Sequence, residues 1–157
     1  MFTKIFGKKK LKEDKSKLES KLKEISSDII NKNINSIFIL GKDNLYPVAL
    51  EGALKIKEVT YLHCEGFSAG SLKHGPFALL DEEFPVILID TQPEYYVKND
   101  IAIQEISCRG APIFIFTNRN MEIKENPNII KVPSSNHSFL FVLMYLQLFA
   151  YNISIQR

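Results

Sequence analysis

Five short runs that read as strands, at residues 36–40, 61–65, 84–90, 112–116 and 129–132, alternate with stretches that carry helical patterning or helix-forming composition. The helical stretches fall at 46–58, 72–80, 94–108 and 136–153. Strands that alternate with helices are joined by right-handed crossovers, which makes the sheet mostly parallel and covers it on both faces. The fold class predicted is a three-layer α/β domain. Its 157 residues suit one hydrophobic core and leave no room for a second independent domain.

Ahead of the first strand, Leu11, Leu18, Leu22, Ile25 and Ile29 recur at steps of three, four or seven, the spacing of one helix face. Residues 1–33 therefore read as a basic N-terminal segment with a leading amphipathic helix, and 34–157 as the α/β domain. Residues 1–32 hold ten of the 20 Lys and Arg but five of the 18 Asp and Glu, so behind the net charge of +2 this segment is basic and the remainder mildly acidic. Three consecutive lysines, Lys8, Lys9 and Lys10, have the look of a nucleic-acid or membrane-surface patch. They soon alternate with Glu13, Asp14, Glu19 and Glu24, and no aromatic residues interleave, which favours a solvated helix face.

The longest apolar run, 139–150, is interrupted only by Gln147 and is too short to span a bilayer, for which about 20 residues are needed. It reads as a helix buried on more than one side, by the core and by a partner lobe or subunit. The N-terminus has no signal-peptide pattern, and a cytoplasmic location is the expectation. Cys64 and Cys108 lack the close spacing of a zinc site and read as buried, reduced thiols. His63 and His137 suggest no metal site with each other or with the cysteines.

Chemistry concentrates in two segments. On the helix predicted at 46–58, capped by Asp43 or Asn44 with Pro47 in its first turn, Glu51, Lys55 and Glu58 stand at i, i+4 and i+7, on one face. Such a stripe is either a surface ion-pair ladder or a polar cleft in which a lysine tunes a proton-transfer carboxylate. Gly52 in the middle of this helix costs about 1 kcal/mol against alanine and points to the close approach of a ligand or another backbone. The second segment, 68–76, places His74 just before Gly75-Pro76, either as a hydrogen-bonded structural residue or as a general acid or base. Gly66, Ser68, Gly70 and Ser71 are candidate phosphate donors, although they match no Walker or dinucleotide pattern, and no cofactor is expected.

Taken together, the run from Tyr46 to Glu58, the Leu72-Lys73-His74-Gly75-Pro76 motif and the gap between them resemble the second isomerase lobe of the glucosamine-6-phosphate synthases, a sugar-isomerase (SIS) lobe. The likeness extends from about Ile37 to Tyr151, through Pro85-Val86-Ile87, Arg109-Gly110 and the 146–151 run. It implies an SIS fold, flavodoxin-like, with a five-stranded parallel sheet, and an enzyme that makes glucosamine 6-phosphate from fructose 6-phosphate and glutamine. It further implies that Glu58 moves the proton between sugar C1 and C2 and that Lys55 assists at the amino group. His74 would open the sugar ring from a neighbouring subunit, and Glu51 would be a supporting partner.

The family's glutaminase domain, its Ser/Thr-rich first lobe and its lysine-bearing tail have no counterpart in these residues. Ser71 replaces a usual glutamate and Asp43 a frequent glycine. The expectation is a lobe that binds a phosphosugar and works as a homodimer or paired with another SIS lobe, without membrane or nucleic acid. The alternative is a non-catalytic module that binds a phosphosugar or acts through dimerisation.

Overall fold

A computed structural model describes residues 8–120 and 128–157, with side chains from Asp14 onward. The lysines at 8–10 therefore have their side chains outside the described residues. Five parallel strands form one sheet: β1 (Ser36–Gly41), β2 (His63–Ser68), β3 (Val86–Asp90), β4 (Ile113–Thr117) and β5 (Ile129–Lys131), in the order β2-β1-β3-β4-β5. Among the described residues four α-helices accompany them: α1 (Lys8–Asn31), α2 (Tyr46–Thr60), α3 (Tyr96–Ser107) and α4 (Ser138–Ser154). The predicted five-stranded parallel sheet and leading helix are both present.

Central strands bury both of their faces, as crossover helices require. Ile37 and Ile39 of β1, with Ile87, Ile89, Phe114 and Phe116, join α1, α2 and α4 in one core. The residues between them, Phe38, Leu40, Val86, Leu88, Ile113 and Ile115, join α3 and the 72–80 segment in a second core on the opposite face. Strand side chains alternate between faces, and this alternation puts α1, α2 and α4 on one side of the sheet and α3 with the 72–80 segment on the other. Helix α1 is part of the first core, because Leu22, Ile25 and Ile29 are buried there.

Three local expectations are corrected. Residues 72–80 form turns and a short 3-10 helix, Pro76–Leu79, rather than an α-helix, because Gly75 takes φ +138° and Pro76 has no N–H to donate. The second strand begins at His63 and not at Tyr61, which closes α2 in the left-handed region at φ 59°. Neither Asp43 nor Asn44 caps α2: they lie in a 3-10 turn, Asp43–Leu45, and Leu45 precedes the helix without a side-chain cap. Among the described residues no helix is long and apolar enough to cross a membrane.

Candidate functional site

Helix α2 buries Val48, Ala49, Gly52, Ala53, Ile56 and Thr60 against the sheet and α4, which turns the Glu51–Lys55–Glu58 face outward. Lys55 lies between the two carboxylates, its Nζ 2.7 Å from Glu58 Oε2 and 3.6 Å from Glu51 Oε1. The three side chains are 32%, 43% and 49% exposed in the order Lys55, Glu51, Glu58, neither sealed in the core nor free in water. Its hydrogen bond to Glu58 is the largest influence on Lys55 and raises its pKa above the ordinary lysine value. At neutral pH Lys55 is thus a cation that donates a hydrogen bond. It has no lone pair with which to act as base or nucleophile.

Gly52 has a different reason from a ligand. A Cβ there would meet Leu146 Cδ1 of α4 at 2.5 Å, so the glycine lets α2 and α4 pack closely beneath the stripe. Gly66 plays the same part on β2, where a Cβ would come within 2.8 Å of the Ala49 backbone. These contacts fix α2 against both β2 and α4, and with it the position of Lys55.

His74 is carried by the opposite layer. Leu72 and Leu80 are buried in the second core, Phe77 N–H donates to Leu72 C=O at 2.9 Å, and Lys73 pairs with Glu105 of α3 at 2.6 Å. Between these anchors His74 and Gly75 protrude, exposed. The sheet separates His74 from the α2 stripe, and among the described residues its ring has no side-chain partner. Glu51, Lys55 and Glu58 are brought together by one chain, and His74 is not. Ser68 and Ser71 serve the same turn through their backbone carbonyls, which accept from Ser71 and His74 N–H at 2.8 and 3.0 Å.

The remaining histidines and cysteines differ in environment. His63 contacts Glu65 at 3.0 Å, and His137 precedes α4. Cys64 is buried, and desolvation pushes its thiol up to about 12, which makes it inert at neutral pH. Cys108 is exposed, contrary to the expectation of burial.

Sequence reasoning missed a second ionic cluster at the C-terminal ends of β3 and β4. Asp90 is fully buried and accepts from Asn99 Nδ2 at 2.8 Å, Thr117 Oγ1 at 3.1 Å and Arg119 Nε at 2.7 Å. Arg119 also grips Asp100 through both terminal nitrogens, and its guanidinium lies 4.4 Å from the Tyr96 ring centre. The partners are 29 and 19 residues from Arg119, beyond the reach of any local spacing rule.

A two-core parallel sheet of this order, with the α2 stripe and the His74 turn on its two faces, is the frame of a sugar-isomerase lobe. Residues 29–157 match the SIS domain family, and the chain belongs to it. The glutamine–fructose-6-phosphate aminotransferase (isomerizing) of Buchnera aphidicola subsp. Acyrthosiphon pisum is 40% identical over 141 residues, 87% of this chain and 23% of that protein. The enzyme of the same name from Methanosarcina acetivorans is 44% identical over 126 residues, 78% of this chain and 20% of its own length. In three dimensions, the C-terminal domain of glucosamine-fructose-6-phosphate aminotransferase from Francisella tularensis superposes with a TM-score of 0.80 at 29% identity. That match covers 88% of this chain and 40% of the other. The chain thus spans less than a quarter of the length of these curated relatives.

Proposed function

We propose that this lobe supplies the proton-transfer half-site of a glutamine–fructose-6-phosphate aminotransferase type of isomerase, completed by another SIS lobe. The observation that carries the reading is Lys55 held as a cation against Glu58 on a half-exposed helix face. Conversion of a ketose imine to an aldose amine needs one base that takes a proton from C1 and returns it to C2. A carboxylate that accepts a hydrogen bond from a fixed cation is oriented for that transfer. In this assignment Glu58 is the base. Lys55 orients it and faces the substrate's amino group, and Glu51 supports Lys55.

His74 acts in the ring-opening step on a neighbouring copy, an assignment supported by its place on the opposite side of the sheet from its own chain's Glu58. Pairing is also favoured by α4. Leu140, Met144 and Tyr151 share one exposed face of that helix, Ile155 just beyond its end is exposed too, and Leu50 and Leu54 of the adjoining α2 are exposed as well. An apolar surface of this kind suits a packed partner. The ligand class is a phosphosugar, fructose 6-phosphate or glucosamine 6-phosphate, and the same α4 surface also suits the alternative of a non-catalytic dimerising module.

Calorimetric titration with glucosamine 6-phosphate tests the half-site, with wild type run beside a folded Lys55→Ala, Glu58→Ala double variant. Binding that vanishes in the variant supports the assignment. Equal binding by both proteins overturns it. For the complete reaction, the assembly recovered from source cells is assayed for glucosamine 6-phosphate synthesis, and Glu58→Gln is expected to abolish it. Full activity of that variant would remove Glu58 from the mechanism.

A further inference from the structure

The sheet order reverses between β1 and β3, and the loops that leave these two strands part at their carboxyl ends, where open parallel sheets place ligands. A crevice of about 390 Å³ opens there, within the range of roughly 300–1,000 Å³ usual for small-molecule sites. It shares no residue with the α2 stripe or with the His74 turn.

We infer that this crevice is a separate binding site for an uncharged, hydroxyl-rich ligand of the size of one sugar ring. Its polar walls come from three distant segments: Asn44 after β1, Thr91 and Gln92 after β3, and Ser135, Asn136 and Ser138 leading into α4. All six are neutral amides or hydroxyls, and among the described residues no acidic, basic or histidine side chain lines the space. Leu45 and Phe139 complete it, the latter 40% exposed. Amides that both donate and accept suit ring hydroxyls, and an accessible aromatic ring suits the C–H face of a sugar.

Two observations separate this chemistry from phosphate binding. Anion sites at helix N-termini depend on free N–H groups, and at α4 several of these are occupied. His137 N–H donates to Ser135 Oγ at 3.0 Å, Ser138 N–H to Ser135 C=O at 3.1 Å and Leu140 N–H to His137 C=O at 3.0 Å. Ser138 Oγ is itself turned inward, 2.9 Å from Pro133 C=O and 2.7 Å from Ser135 C=O. In contrast, Gln92 Oε1 lies out of reach of water and has no hydrogen-bond donor, an arrangement that costs stability. Its terminal torsion is broad, so a modest rotation presents the oxygen to a hydroxyl in the crevice. Asn44 and Asn136 are exposed and have no side-chain hydrogen bond among the described residues.

The test is a nuclear magnetic resonance titration of the isotopically labelled full chain, with N-acetylglucosamine as the neutral probe and inorganic phosphate as the anionic one. Expected are saturable shifts of the Asn44, Gln92 and Asn136 side-chain amides with the sugar, at least about tenfold weaker binding in Gln92→Leu and in Phe139→Ala, and undiminished binding in Glu58→Gln. A tenfold loss corresponds to about 1.4 kcal/mol, the scale of one hydrogen bond. Absence of saturable shifts overturns the site. So does a response of the same amides to phosphate in place of the sugar, or sugar affinity unchanged in both Gln92→Leu and Phe139→Ala. Because Glu58→Gln leaves this crevice intact, failure here is distinguishable from failure of the proton-transfer assignment.

Discussion

On α2, Lys55 bridges Glu51 and Glu58 in partial contact with water, whereas at the ends of β3 and β4, Arg119 bridges Asp90 and Asp100 with Asp90 wholly enclosed. Both sites set one cation between two carboxylates. Around Asp90 the protein supplies three donors from α3, β4 and the loop after β4. Around Glu58 it supplies one, from the same helix three residues away. A buried carboxylate that accepts three hydrogen bonds ties loops to the sheet, and a half-exposed one that accepts a single hydrogen bond keeps lone pairs for something else. The energetic asymmetry follows: removal of one partner from a buried pair leaves an uncompensated charge, while exposed helix pairs contribute little.

The sharpest way to break the comparison is Asp90→Ala. It takes the acceptor from Arg119 Nε, the Asn99 amide and the Thr117 hydroxyl at once, leaving Arg119 only Asp100, and is expected to destabilise the fold by about 3–5 kcal/mol. For a domain of this size that lowers the melting temperature by roughly 10 °C, read by thermal unfolding followed by circular dichroism. A loss no larger than that of an exposed substitution would show the two clusters to be equivalent.

Alkaline pH probes the first core beneath the α2 stripe. The Cys64 thiol, raised by burial from about 9 to about 12, keeps its proton in the fold, while the unfolded chain releases it from about pH 9 upward. Above that pH the unfolded state binds fewer protons, so stability falls as pH rises, by up to about 4 kcal/mol by pH 12. Lys55 acts with the same sign, because its raised pKa gives a contribution that is present below the ordinary lysine value and lost as pH rises through the folded one. Cys64→Ala is therefore expected to be less stable at pH 7 and to show a flatter decline between pH 9 and 12 in urea titrations. An unchanged slope would remove Cys64 as its source.

Gly66→Ala isolates the scaffold from the charges it carries. Its added methyl meets the backbone of Ala49 at 2.8 Å, which no rotamer change relieves, and the expected cost is about 1–3 kcal/mol in chemical denaturation. In Gly52→Ala the obstacle is a leucine methyl, which has some freedom to rotate, and better helix propensity offsets part of the strain, so the loss is expected to be smaller. The reverse order would mean that the α2–α4 contact, and not the α2–β2 contact, sets the position of the stripe.

The strands were legible because central strands of a parallel sheet are apolar throughout. The α2 stripe was legible because helical spacing alone brings residues three and four apart together. Expectation failed where backbone conformation, and not side-chain character, decides. Tyr61 and Leu62 look like the start of a strand, yet Tyr61 closes α2 with a positive φ. At 72–80, Gly75 and Pro76 override helix-forming neighbours. Gly52 points to the close approach of a ligand or another backbone, whereas the approaching group is the Leu146 side chain of α4, which only the fold could show. The Arg119 cluster and the neutral crevice were hidden for another reason, since each is assembled from segments that only the sheet brings together.

The smallest expected effect on stability is the one that most sharpens the contrast. Glu58→Gln keeps the shape of the side chain and an oxygen to accept from Lys55, and it removes only the charge and the basicity. As an exposed helix position with an i, i+3 partner, it should leave the melting temperature within about 2 °C of wild type. The same change should abolish glucosamine 6-phosphate synthesis by the recovered assembly, because an amide cannot carry a proton from C1 to C2. Such a variant, folded but inactive, stands opposite Asp90→Ala, whose defect lies in the fold itself. If Glu58→Gln instead unfolded the lobe, the α2 stripe would be a structural ladder like the cluster at Arg119, and the proton-transfer assignment would lose its carrier.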